Sequence, residues 1–63
     1  MREKRLLRAL SRHGPLTAMQ AALVCGLTVA ETERRLTALA VKGHIEVIVK
    51  DGQLHYAHWK GGS

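Results

Sequence analysis

Two threonine-initiated helix starts, with one glycine in the stretch between them, constrain this chain more than any other feature. Thr17 stands three residues before Gln20, and Thr28 three before Glu31. At each, the hydroxyl can accept from an exposed backbone amide of the first turn, and the longer side chain can reach back to the threonine amide in a capping box. The helix opened by Thr17 runs to about Val24 or Cys25. Gly26 then breaks it, and Leu27 leads to Thr28 and a further helix that ends near Lys42-Gly43.

The segments on either side complete the pattern. On a wheel of about 100° per residue, Met1 to Arg12 places Leu6, Leu7 and Leu10 on one side and Arg2, Arg5, Arg8 and Arg12 on the other. This is an amphipathic helix with a basic back, and His13-Gly14-Pro15 ends it. From Ile45 the apolar period changes from about 3.6 to about 2, which marks a strand. Ile45, Val47, Ile48 and Val49 lead to Asp51-Gly52, a two-residue hairpin turn whose central positions both need positive φ. Pairing outward from it sets Val49 opposite Leu54, Val47 opposite Tyr56 and Ile45 opposite His58 on one apolar face. That face should lie on the helices, because a two-stranded hairpin is marginal alone. Two capped helices joined by a few residues around a glycine have the spacing of a helix-turn-helix.

At 63 residues, 46% hydrophobic and 24% charged, the chain has the balance of one small folded domain. Residues 1–59 are assigned to that domain and residues 60–63 to a flexible tail. With Tyr56 and Trp59 the only aromatics, the core must be aliphatic. A single cysteine, Cys25, excludes an internal disulfide, a four-thiolate zinc site and a Cys-x-x-Cys redox pair. No run approaches the roughly 18 apolar residues of a membrane span, and the basic start lacks the apolar stretch of a signal peptide. The expected compartment is the cytoplasm. A formal charge of +5 points to a polyanionic partner.

Helix, short extended segment at Pro15-Leu16, helix, turn, helix, hairpin: from about Leu6 to Tyr56 this order resembles a winged helix-turn-helix domain of a small bacterial-type transcriptional regulator. The fold class is thus α+β, a three-helix bundle with a C-terminal two-stranded β-hairpin wing. The most informative stretch, Leu16 to Val47 (LTAMQAALVCGLTVAETERRLTALAVKGHIEV), is similar to a repressor pattern at Ala22, Gly26, Leu27, Thr28, Leu36, Leu39, Gly43 and Ile45. Multiple-antibiotic-resistance-type repressors, other short regulators and winged modules of larger enzymes share these positions.

The resemblance implies that the third helix enters the major groove of double-stranded DNA while the wing touches the flanking minor groove or phosphates. On that helix Thr32, Leu36 and Leu39, with Val29 and Ala40, form the inward face. Ala30, Arg34, Thr37, Ala38 and Val41 point away, so Arg34 is the strong donor among small neighbours. Arg35 lies nearer the buried edge, in reach of a phosphate or of Glu31 at i−4. Thr17 and Thr28 at helix N-termini, and Lys50 with Gln53 at the wing, are the expected phosphate contacts, with the first-helix arginines adding unspecific attraction. A monomer reads few base pairs, so specificity implies a homodimer or a second partner.

Glu31 and Glu33 beside Arg34 oppose a phosphate backbone unless they are paired or accept from a base. With Ala21, Ala22 and Cys25 inward on the second helix, Met19, Leu23 and Val24 are left outward. That apolar strip motivates a rival reading as a winged-helix protein-interaction adaptor. Metal binding by His13, His44, His55, His58 and Cys25 is not expected. His55 and His58 are an odd number of residues apart on one strand and face opposite sides, and Cys25 reads as a small buried hydrophobe. There is no Ser-His-Asp set, carboxylate pair in an apolar pocket or glycine-rich phosphate loop, so neither an enzyme nor a cofactor is expected. Trp59 is expected to cover a core edge rather than to stack on nucleic acid.

Overall fold

A computed structural model describes residues 2–59, with the side chains of Arg2 and Glu3 excluded. The helix start at Met1, the Arg2 side chain of the arginine stripe and the expected tail at 60–63 lie outside the described residues. The order is α1 (Arg2–His13), α2 (Ala18–Cys25), α3 (Val29–Val41), β1 (Ile45–Lys50) and β2 (Gln53–His58). Three helices are followed by an antiparallel two-stranded hairpin, the α+β arrangement read from the sequence.

Both helix caps form, but not equally. At α2 the box is complete: the Gln20 amide donates to Thr17 Oγ1 at 3.2 Å and the Thr17 amide to Gln20 Oε1 at 3.0 Å. At α3 only half of it forms, with the Glu31 amide donating to Thr28 Oγ1 at 3.1 Å. The Glu31 carboxylate turns instead to Arg34 and Arg35. The expected second capping box is therefore corrected to a single cap, because two guanidiniums outcompete one neutral amide for a carboxylate. Between the helices Gly26 adopts φ 70°, the left-handed conformation that ends a helix at least cost for glycine, and the Leu27 amide closes onto Ala22 O at 3.0 Å.

The core is aliphatic and draws on every element. Leu6 and Leu10 of α1, Ala21 and Cys25 of α2, Leu36 and Leu39 of α3, Ile45 of β1 and Tyr56 of β2 share one cluster with Leu16. The buried Thr32 hydroxyl donates to Thr28 O at 2.8 Å, so the most hidden polar side chain of α3 is satisfied. Val29, expected inward, is exposed. It occupies the first turn of α3, where the helix extends past the core, and it lines a surface groove.

The hairpin has the register read from the sequence, with Ile45↔His58, Val47↔Tyr56 and Val49↔Leu54. Asp51 at φ 55° and Gly52 at φ 75° make the turn. A further strap flanks the sheet: the Leu16 amide donates to Tyr56 O at 3.0 Å and the Tyr56 amide to Leu16 O at 2.7 Å. The expectation that the whole apolar face lies on the helices is corrected. Ile45 and Tyr56 are buried, whereas Val47, Val49 and Leu54 are exposed. Ile45, Tyr56 and Leu16 belong to the core cluster and the three exposed residues do not, so the tip projects past the helices. Trp59 also remains 43% exposed and does not seal a core edge. Its amide donates to His44 O at 3.1 Å, carrying the pairing one residue past β2.

Candidate nucleic-acid interface

The outward face of α3 is open. Ala30, Arg34, Thr37, Ala38 and Val41 are all exposed, while Thr32, Leu36 and Leu39 on the opposite side are buried. The Arg34 side chain is 75% exposed. In the free protein Arg34 Nη2 donates to Glu31 Oε1 at 3.1 Å. Arg35 Nη2 sits 2.5 Å from the other oxygen, Glu31 Oε2. The two arms differ in depth. The Arg35 side chain is only 24% exposed, and its Nε is buried with no partner.

Some of the candidates gather in two neighbourhoods beside α3. On the wing side, Thr17, Met19, Val29, Glu33, Gln53 and Leu54 line a groove of about 380 Å³. On the other, Glu31, Arg34, Arg35 and Ala38 line a shallower depression of about 300 Å³. Thr17 and Gln53 are thus brought together, and Arg34, Arg35 and Ala38 are brought together, while Thr28, Ala30, Thr37 and Lys50 are exposed outside both. Thr17 and Thr28 each use an oxygen lone pair to accept from their own helix, which leaves the hydroxyl hydrogen to donate. Lys50 and Gln53 face each other across the last rung before the turn.

Val29 and Leu54, which line the wing groove, and the Glu31 fork were not among the expected site residues. The fork had a readable signal, since Glu31 precedes Arg34 by three residues and Arg35 by four, both helical contact spacings. Leu54 had none, because its exposure depends on how far the helices reach under the hairpin.

On α2, Ala21, Ala22 and Cys25 are buried, and Met19, Leu23 and Val24 are 64%, 80% and 49% exposed. No charged residue lies on this helix. Burial pushes the Cys25 thiol above its usual range, partly opposed by the positive charge of Arg5. Arg5 Nη1 also donates to Cys25 O at 3.5 Å, at the C-terminal end of α2. Among the described residues, no three or more His, Cys, Asp or Glu side chains are grouped to hold a metal ion, and no helix is long and apolar enough to cross a membrane.

No family model matches the sequence, and no curated protein matches it either. Solved structures do resemble the fold. A MarR family transcriptional regulator from Silicibacter pomeroyi DSS superposes with a TM-score of 0.91 at 24% identity, over 98% of this chain and 43% of its own. The RV1404 protein of Mycobacterium tuberculosis superposes with a TM-score of 0.90 at 25% identity, over 95% of this chain and 43% of its own. The chain therefore spans less than half the length of either. Three helices with a capped second pair, a β-hairpin in the expected register and this agreement over nearly every residue make the chain a winged helix-turn-helix domain.

Proposed function

We propose that this domain binds double-stranded DNA as the reading module of a transcriptional regulator, with α3 in the major groove and the β1–β2 hairpin on the flanking backbone or minor groove. The observation that carries this reading is Arg34, standing exposed in the middle of an α3 face shared with Ala30, Thr37, Ala38 and Val41. A guanidinium presents the bidentate donor pair that guanine accepts in the major groove, and small flanking side chains permit close approach. Thr17 and Thr28 would donate to phosphates from helix N-termini, and Lys50 and Gln53 would touch backbone from the wing. Exposed Arg5, Arg8 and Arg12 on α1 would add sequence-independent attraction. A homodimer, or a second DNA-binding partner, would supply the specificity one such module lacks. The Silicibacter pomeroyi neighbour's description as a transcriptional regulator supports the same reading.

The test is an amide chemical-shift titration with a random duplex at low and at higher salt, followed by site selection and the Arg34→Ala variant. Salt-sensitive shifts on Thr28 to Val41 and Lys50 to Gln53 are expected. Arg34→Ala should cost about 1 to 3 kcal/mol on the preferred site, and an unchanged affinity would remove Arg34 from the contacts. The exposed Met19, Leu23 and Val24 favour a second reading, a protein-interaction adaptor. That reading gains if no shifts appear with duplex and those three residues respond to a protein partner, with little dependence on salt.

A further inference from the structure

We infer that Glu31 is a charge gate on the reading helix. It holds Arg35 neutralised and leaves Arg34 as the one releasable cation, so that α3 offers DNA one positive charge where its sequence carries two. The inference rests on the DNA-binding reading proposed above.

The asymmetry of the fork is the ground for it. One carboxylate serves two guanidiniums, Oε1 toward Arg34 at 3.1 Å and Oε2 toward Arg35 at 2.5 Å. The Arg34 arm is an exposed ion pair, 75% open on its guanidinium side, and such a pair exchanges readily with water or with a competing anion. The Arg35 arm is different. Arg35 and Glu31 are 24% and 32% exposed, the distance is shorter, and the Arg35 Nε is already buried without a partner. Pulling the carboxylate away would leave a half-buried guanidinium with a second unmet donor group, which is unfavourable. Glu31 also gives up the reciprocal half of its cap to hold this position, while its own amide remains bonded to Thr28 Oγ1 at 3.1 Å. The carboxylate is thereby fixed at the first turn of α3, where the helix dipole further favours negative charge.

Two consequences follow for binding. A phosphate or base edge competes successfully for Arg34 and not for Arg35, so the number of counterions released by α3 is set by Arg34 alone. Glu31 also penalises any DNA pose that does not repay it through Arg34, which weakens random binding more than cognate binding. Glu31 in this sense is a specificity-determining residue that acts through its neighbours.

The test measures affinity for a random-sequence duplex as a function of salt, using the whole chain and the variants Glu31→Gln, Arg35→Ala and the double variant. Each phosphate contact contributes about 0.9 to the slope of log affinity on log salt, so one added contact deepens the loss between about 50 and 200 mM salt by roughly 3.5-fold. Glu31→Gln should bind the random duplex more tightly at low salt and lose about 3.5-fold more affinity across that range than the wild type. Arg35→Ala should leave the wild-type slope unchanged, and the double variant should return to it. A structural role for Glu31 would shift the unfolding midpoint without moving the slope. A Glu31→Gln slope equal to wild type, a flattening by Arg35→Ala alone, or a steepening that survives in the double variant would each overturn the gate while leaving DNA binding intact. A wild type that binds no duplex at low salt would overturn the DNA reading and the gate together.

Discussion

Replacing Leu36 by Ala tests whether one side chain of α3 holds the helices and the hairpin together. Leu36 is 0% exposed and shares its cluster with Leu6 and Leu10 of α1, Leu39 of α3, Ile45 of β1 and Tyr56 of β2. Truncation removes three carbons at about 0.8 kcal/mol each, or about 2.4 kcal/mol of transfer free energy. A void of about 50 Å³ left after partial relaxation adds about 1.2 kcal/mol at about 24 cal/mol per Å³. Alanine is at least as good a helix former as leucine, so none of the resulting 3.6 kcal/mol, roughly, arises from helix propensity. A domain of this length typically holds about 3 to 9 kcal/mol in all, so the loss is between about two-fifths and the whole of its stability. Urea unfolding followed by far-ultraviolet circular dichroism should show a midpoint about 3.6 M lower at a slope of about 1 kcal/mol per M, or no folded baseline. Leu23→Ala, on the same type of residue at 80% exposure, should change stability by less than about 0.5 kcal/mol. A loss under about 1 kcal/mol at Leu36, or equal losses at the two sites, would refute the assignment of Leu36 to a shared core.

The two caps and the buried thiol give further expectations. Thr17→Ala and Thr28→Ala should each lower stability by about 1 kcal/mol in thermal unfolding, since each leaves an amide of the first turn, Gln20 or Glu31, without its acceptor. An unchanged midpoint at either would mean that solvent satisfies that amide equally well. Cys25 has its pKa raised in the folded state, mainly by burial, so its contribution to stability is intact through neutral pH. It is lost as pH climbs through the alkaline range, where the unfolded thiol ionises first. The urea midpoint of the wild type should therefore fall more steeply than that of Cys25→Ala above the usual thiol range, and parallel profiles would count against the burial.

What could be read from the sequence was whatever depends on neighbours in the chain. Thr17 with Gln20, the break at Gly26, the Asp51-Gly52 turn and the pairing of Val47 with Tyr56 all follow from local geometry, and each is present. Helix faces were legible where an element is flanked by others: Leu6, Leu10, Leu36 and Leu39 are buried, and Arg34 and Thr37 are not. The failures lie at the margins of elements. Val29 follows the helical period and yet sits beyond the core, and Val49 and Leu54 follow the strand period past the last point where core residues lie beneath them. Periodicity says which way a side chain points, whereas burial requires something for it to point at. At the candidate site the exposure of Arg34 was readable. The choice of Glu31 between its cap and two arginines was not, because it depends on how deeply each guanidinium is seated.

The two hydrogen bonds between Leu16 and Tyr56 close a loop of forty residues in a chain of sixty-three. Every helix and the hairpin can form from contacts a few residues apart, but this closure cannot, and its chain-entropy cost is about 3 kcal/mol. It is thus the step on which fast local structure waits. During synthesis the three helices emerge before their strap has anything to grip, since β2, which carries Tyr56, follows them in chain order. A chain stopped short of Tyr56 therefore carries all three helices with Leu16 lacking its strand partner.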